Sequence, residues 1–239
     1  MKCVILQPSY IPWRGYFHQM QKADLFIFCD DVQYNTAGWR NRNRIKTGNG
    51  AEWLTIPVHS KGTHGSGRQI KDMEICWDEP WNVRHLGAIE NAYRRAPYFT
   101  TYFPLLQEWY RARCRFLADF TITLSIALAG QLGVPESRFM RSAPLGIQAS
   151  KTDRIVQMMH RVGADHYISG PTAKDYIEED KLREAGITLE YMEYDYPEYP
   201  QLHGAFDPHI SIVDLLFMRG PDAPSFIWAQ APVLERAPS

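Results

Sequence analysis

Two short apolar runs, each closed by a polar turn and joined by a stretch able to form a helix, constrain this chain more than any other feature. Lys2 to Leu6 ends at Gln7-Pro8, and Leu25 to Cys29 ends at Asp30-Asp31. Apolar runs without polar alternation are the mark of strands covered on both faces, as in a parallel sheet. Trp13 to Ala23 between them reads as a helix, which makes the opening a βαβ unit. His166 to Ser169, a helix from about Ala173 to Ala185 stopped by Gly186, and a strand from Ile187 to Tyr194 repeat the plan. The expected fold class is therefore α/β: a Rossmann-like, largely parallel sheet flanked by helices.

Other segments fill in around this sheet. Trp53 to Val58 is rich in β-formers, with Pro57 placing it at an edge or an end. Ser60 to Gly67 lacks apolar residues and reads as a mobile surface loop. From about 81 to 132 the pattern is helical, broken near Pro97 and Pro104, with a long helix from about Leu105 to Gly130 expected to form an insertion or cap. Ser150 to Asp153 caps a helix whose Ile155, Met159 and Val162 share one face up to Gly163. No linker rich in Gly, Ser or Pro divides the chain, so residues 1–222 are expected as one domain and 223–239 as a partly disordered tail.

Composition removes whole classes of function. Twenty-six Lys and Arg against 27 Asp and Glu leave no whole-protein field to gather nucleic acid or an anionic membrane. Cys3, Cys29, Cys76 and Cys114 are scattered without a CxxC pair and read as reduced thiols. The first apolar run is too short for a signal peptide and no run is long enough to span a bilayer, so a cytoplasmic protein without membrane insertion is expected.

The strand ends carry the chemistry-bearing residues. After the first strand come Gln7, Ser9, Tyr10 and Trp13, a mixture of amide, hydroxyl and aromatic groups suited to a polar planar ligand, or else an aromatic turn packed on the sheet. After the second come Asp30, Asp31 and Gln33; alternation along a strand lets one carboxylate face a site as general base, unless both only cap or solvate a turn. Trp39-Arg40-Asn41-Arg42-Asn43-Arg44-Ile45-Lys46 holds four cations, two amides and no acid, and is the best local anion-binding signal, with a solvated basic face as the alternative. Ser169 and Gly170 with Tyr176 stand at a third strand end, where a helix start could hold an anion. Gln201 lies in a mixed polar and apolar stretch that continues to Ser211 and Asp214, the latter two able to cap a helix from Ile212 to Met218.

Missing motifs narrow the field further. There is no G-x-G-x-x-G, Walker A, G-x-S-x-G or H-E-x-x-H sequence. His59 and His64 sit in the Gly-rich loop without a Cys partner, and no metal site is assigned to them.

In order along the chain, QPSYIPWRGYF, ADLFIFCDDVQY, WRNRNRIK, YISG and FDPHISIVDLLF together resemble the WbqC-like protein family, up to about Gly220. That resemblance implies a bacterial protein of surface-polysaccharide or natural-product biosynthesis, working on sugars, nucleotide sugars or amino-acid-derived intermediates. A weaker similarity links the segment from Pro12 to His18 to the H-x-G-H region of nucleotidylyltransferases, but Trp13 and Tyr16 replace both histidines.

The reading that joins residues and resemblance is a group-transfer enzyme moving an acyl or aminoacyl group to an amine. Arg40, Arg42 and Arg44 would hold a phosphate-bearing or nucleotide-linked substrate, with Asp30 or Asp31 near Gln7 as catalytic groups. A carrier-bound or aminoacyl-tRNA donor suits that chemistry, and no cofactor is named. The alternatives are a nucleotidylyltransferase-like enzyme and a non-catalytic nucleotide- or sugar-binding accessory protein.

Overall fold

The computed structural model describes residues 1–59 and 67–228. Its opening is the expected unit of β1 (Lys2–Leu6), α1 (Arg14–Lys22) and β2 (Leu25–Phe28). The chain then leaves the sheet for an antiparallel hairpin, β3 (Arg42–Thr47) and β4 (Gly50–Thr55), and for three helices, α2 (Trp81–Tyr93), α3 (Phe99–Trp109) and α4 (Leu117–Gln131). It returns as β5 (Phe139–Arg141), and α5 (Lys151–Val162), β6 (His166–Ser169), α6 (Glu179–Glu184) and β7 (Thr188–Tyr191) complete the sheet. The helix α7 (Ile212–Arg219) follows.

All five sheet strands run parallel, in the order β5-β2-β1-β6-β7. Cys3 stands opposite Leu25 on one side and Tyr167 on the other, so β1 is the central strand. The chain winds outward from β1 in one direction and from β6 in the other. Connections that diverge at this point leave a crevice beyond the carboxyl ends of β1 and β6.

Alternation along the strands divides the core. Val4, Phe26, Phe28 and Ile168 pack with α1 and the helices α2 to α4 and α7 on one face. Cys3, Ile5, Ile27 and Tyr167 pack with Met158, Met159 and Leu182 on the other. Each fully buried large apolar side chain contributes about 1.5–3 kcal/mol, which lets short strands hold together.

Several boundaries differ from the sequence expectations. The helix expected from Leu105 to Gly130 is two helices, because residues between them pair in extended form: Leu117 N donates to Met73 O, and Ile75 N to Arg115 O. The strand expected over Trp53 to Val58 starts earlier, since the turn at Gly48-Asn49 sets its register against β3, with Arg42 opposite Thr55. The helix expected from Ala173 is a 3₁₀ segment, Pro171–Asp175, followed by the short α6; Glu178 N is held by Thr152 Oγ1 at 3.1 Å, which docks the break onto α5. The tail expected from 223 is packed as far as Trp228: a 3₁₀ segment, Gly220–Phe226, buries Ala223 and Pro224, and Arg14 donates to Phe226 O at 3.2 Å. The expected loop, apart from Gly67, and residues 229–239 lie outside the described residues. Among the described residues no helix is long and apolar enough to cross a membrane.

Candidate functional site

A cavity of about 790 Å³ opens at the crevice between β1 and β6. Its floor is Leu6, Gln7 and Tyr167 at the two strand ends; one wall comes from the β1–α1 loop and the hairpin, the other from the first turns of α5. The volume falls in the range of small-molecule sites, about 300–1,000 Å³.

Arg40, Arg44, Lys151 and Arg154 line this cavity, and among the described residues no Asp or Glu does. Arg154 is spoken for: its guanidinium donates to Asp31 and, at 2.7 Å, to Ile147 O. The other three have no carboxylate partner among the described residues. Burial lowers the pKa of Arg40 from the ordinary guanidinium value, the electrostatic sign of a cation held partly out of water without a counterion. Arg44 reaches only a carbonyl, His209 O, at 3.4 Å. Lys151 is the first residue of α5, which turns Lys151, Arg154, Ile155 and Met158 to the cavity, while its cap residue Ser150 borders the neighbouring cleft.

The hairpin explains the alternating Asn and Arg. Along β3 the amides of Asn41 and Asn43 and the side chain of Ile45 turn inward, while Arg42 and Arg44 turn out. Asn43 Nδ2 donates to Tyr10 O and Ile11 O, both at 3.0 Å, and so clips the β1–α1 loop to the hairpin. Ile11 has φ of 34°, a conformation that a β-branched residue adopts only under constraint from its surroundings. Lys151, at φ of 51°, is the other non-glycine residue with positive φ among the described residues. Lys151 lines the cavity, and Ile11 lies in the core just before the lining residue Pro12.

Trp13 forms an inner wall, edge-on to Tyr194 with ring centroids 5.0 Å apart and tilted against the His209 ring at 5.8 Å. Its indole lies directly over Gly15, where a Cβ would stand 2.3 Å from Trp13 Cζ2. Glycine at 15 is therefore a packing requirement of the wall. Tyr16 also lines the cavity, and its hydroxyl donates to Gln7 O at 3.1 Å.

Of the residues singled out in the sequence, Gln7, Trp13, Arg40, Asn43, Arg44 and Tyr176 meet in this cavity. Asp31 and Gln33 instead border a neighbouring cleft of about 530 Å³ that shares Lys151 and Arg154 with it. The expected role of Asp30 needs correction. It is 0% exposed, with Oδ2 2.6 Å from the Arg141 guanidinium and Oδ1 accepting from Ala143 N at 3.2 Å. Arg141 in turn pairs with Asp119 at 2.5 Å. Asp31 is likewise closed, accepting from Arg154 and from Ser142 Oγ.

Five further expectations change. Tyr10 turns into the core, its hydroxyl bonded to His85 Nδ1 at 2.8 Å and to the Tyr110 hydroxyl. Asn41 is consumed by Ile56 O at 2.8 Å. Arg42 lies 4.7 Å from the centre of the Trp53 ring and outside the cavity. Ser169 and Gly170 do not reach the cavity, Ser169 being buried beside the Tyr167 hydroxyl. Gln201 accepts from Lys46 Nζ at 2.6 Å and from Asp207 N at 2.9 Å, and braces the chain before α7.

Lys151, Arg154 and Cys29 were missed as cavity residues, while Trp39 and His209 were named only as parts of longer segments. The only local signal for the first two was a helix cap following a strand–turn, and His209 comes from a segment remote in sequence. Burial raises the thiol pKa of Cys29, opposed by the neighbouring Arg154.

The geometry has a counterpart in the comparisons with known proteins. The profile of the WbqC-like protein family matches residues 7–226, which spans every cavity residue except Ile5 and Leu6. Rv1507c of Mycobacterium tuberculosis, described as an uncharacterized protein, is 36% identical over 228 residues, covering 95% of this chain and 97% of its own. No solved structure matches. A match that runs from the end of the central strand to the last packed segment takes in the whole cavity-forming unit, and the chain belongs to the WbqC-like protein family.

Proposed function

We propose that the protein is a group-transfer enzyme that holds a phosphate-bearing, small-molecule substrate in the cavity between β1 and β6. One observation carries this reading: among the described residues, three cations without carboxylate partners, Arg40, Arg44 and Lys151, surround a cavity lined by no acid. Guanidinium groups bind phosphate in bidentate fashion. Gln7 and Ser9, also in the lining, supply an amide and a hydroxyl for a transferred group.

Acyl or aminoacyl transfer to an amine remains the reaction to screen first, with one change of cast. Both Asp30 and Asp31 are tied in ion pairs, whereas His209 brings to the cavity an imidazole, the side-chain type suited to proton transfer near neutral pH. Surface-polysaccharide or natural-product biosynthesis in the cytoplasm is the setting this proposal assumes, with a carrier-bound or aminoacyl-tRNA donor as one form of substrate. Nucleotidylyl transfer loses support because Trp13 and Tyr16 occupy the lining where that chemistry would use histidines.

Titration calorimetry with pyrophosphate tests the binding claim. Wild-type protein should bind, and Arg40→Met and Arg44→Met should each lose about 1.5–3 kcal/mol of binding energy for a lost charge-assisted contact. Equal binding by all three proteins would place the anion elsewhere. A second reading, a nucleotide- or sugar-binding accessory protein, draws on the absence of a free carboxylate in the cavity. Turnover assays with aminoacyl donors and amino-sugar acceptors separate the two: product formed by wild-type and lost in His209→Gln supports the enzyme.

A further inference from the structure

Three aromatic side chains are exposed among the described residues: Trp39 at 41%, Trp53 at 45% and Tyr176 at 65%. Every other described Phe, Tyr and Trp is at least half-buried. Trp39 and Tyr176 line the cavity, and Trp53 packs against Trp39 with ring centroids 5.0 Å apart. Exposed indole is unfavourable for a soluble surface, and scattered exposure would need no comment. Concentration at one mouth does need one.

The two sides of the mouth are built differently. Trp39 sits on the hairpin side, and its carbonyl accepts from Tyr10 N at 3.3 Å, which fixes the residue to the β1–α1 loop. Arg42 and Arg44 lie 4.7 and 5.8 Å from the centre of the Trp53 ring, so both guanidiniums pack against the outer indole of the pair. Tyr176 stands on the opposite strand's side, at the end of the 3₁₀ segment after β6. The cavity they border is also lined by Arg40, Arg44 and Lys151.

We propose that the cavity takes a nucleoside diphosphate group, with its base on the Trp39 and Tyr176 faces and its phosphates against Arg40, Arg44 and Lys151. This rests on the phosphate-binding reading above and specifies the ligand. A phosphate monoester brings only about 1.5–2 negative charges at neutral pH, so three unpartnered cations match a second phosphoryl group. A nucleobase supplies the planar π-face that exposed aromatic rings accept without regard to base identity. A phosphosugar alone would leave the Trp39 and Tyr176 faces in water.

The experiment titrates wild-type, Trp39→Ala and Trp39→Phe proteins with ADP, UDP and pyrophosphate, following heat and tryptophan fluorescence. Wild-type should bind both nucleotides about tenfold or more tightly than pyrophosphate, with quenching of indole emission that pyrophosphate does not produce. Trp39→Ala should lose most of that advantage and keep its pyrophosphate affinity, and Trp39→Phe should recover much of it. Trp39 is exposed, and an unchanged melting temperature will confirm that each variant folds. Equal binding of nucleotides and pyrophosphate by wild-type, unchanged in Trp39→Ala, overturns the inference and leaves the phosphate site standing. Failure of all three ligands to bind wild-type overturns both.

Discussion

Asp30 and Asp31 are neighbours in sequence and belong to separate ion pairs. Strand alternation foretold that they would diverge; it could not foretell that Arg141 and Arg154, more than a hundred residues later, would neutralise both. An acid's availability depends on its partners, and partners are a tertiary fact. The pairing yields a prediction opposite in kind to that for a general base. Asp30→Asn removes a fully buried charge that Arg141 and Ala143 N jointly hold, so it should lower stability by about 2–3 kcal/mol in urea unfolding while leaving pyrophosphate affinity near wild-type. Intact stability with lost binding would return Asp30 to the site. Arg40 and Arg44 were legible for the converse reason: a run of cations with no nearby acid announces its own lack of partners.

Elements built on apolar runs, β1, β2 and β6, lie within a residue of their expected limits, because burial on both faces writes itself into composition. The hairpin strand β3 escaped notice, since Arg42, Asn43, Arg44 and Lys46 carry no apolar alternation; its pattern alternates amide with guanidinium instead. The start of α5 was legible as a cap, yet its place beside β1 depends on strand order. A prediction belongs to the β1–α1 connection. With a Cβ at position 15 standing 2.3 Å from Trp13, Gly15→Ala must displace an indole already hemmed in by Tyr194, Tyr196 and His209. Overpacking of this kind costs about 1–3 kcal/mol, and the shifted wall should weaken ligand binding as well. Thermal melting and titration of the same variant will show both losses, whereas loss of neither would mean that the loop is free to move.

Across the whole molecule, acid sensitivity should centre on His85, which lies beneath the β1–α1 loop with Tyr10 and Tyr110. Burial and the charge of Arg84 lower its pKa from 6.5 to about 4, opposed by a hydrogen bond to the Thr55 backbone. The unfolded chain takes up a proton as pH falls through 6.5 and the folded chain does not until about 4, so stability drops across that window. The loss should approach about 3 kcal/mol at the acid end. Urea midpoints at pH 7 and pH 5 should differ more in wild-type than in His85→Gln, and equal differences would show that other groups carry the effect. A final consequence follows from the central place of β1. The ribosome delivers β1 and β2 together, but the other edge of β1 receives its partner only when His166 to Ser169 has been made. Until then a strand that is apolar after Lys2 keeps one row of backbone groups open to wrong pairing. The binding cavity, whose walls reach to His209, is among the last features that the growing chain acquires.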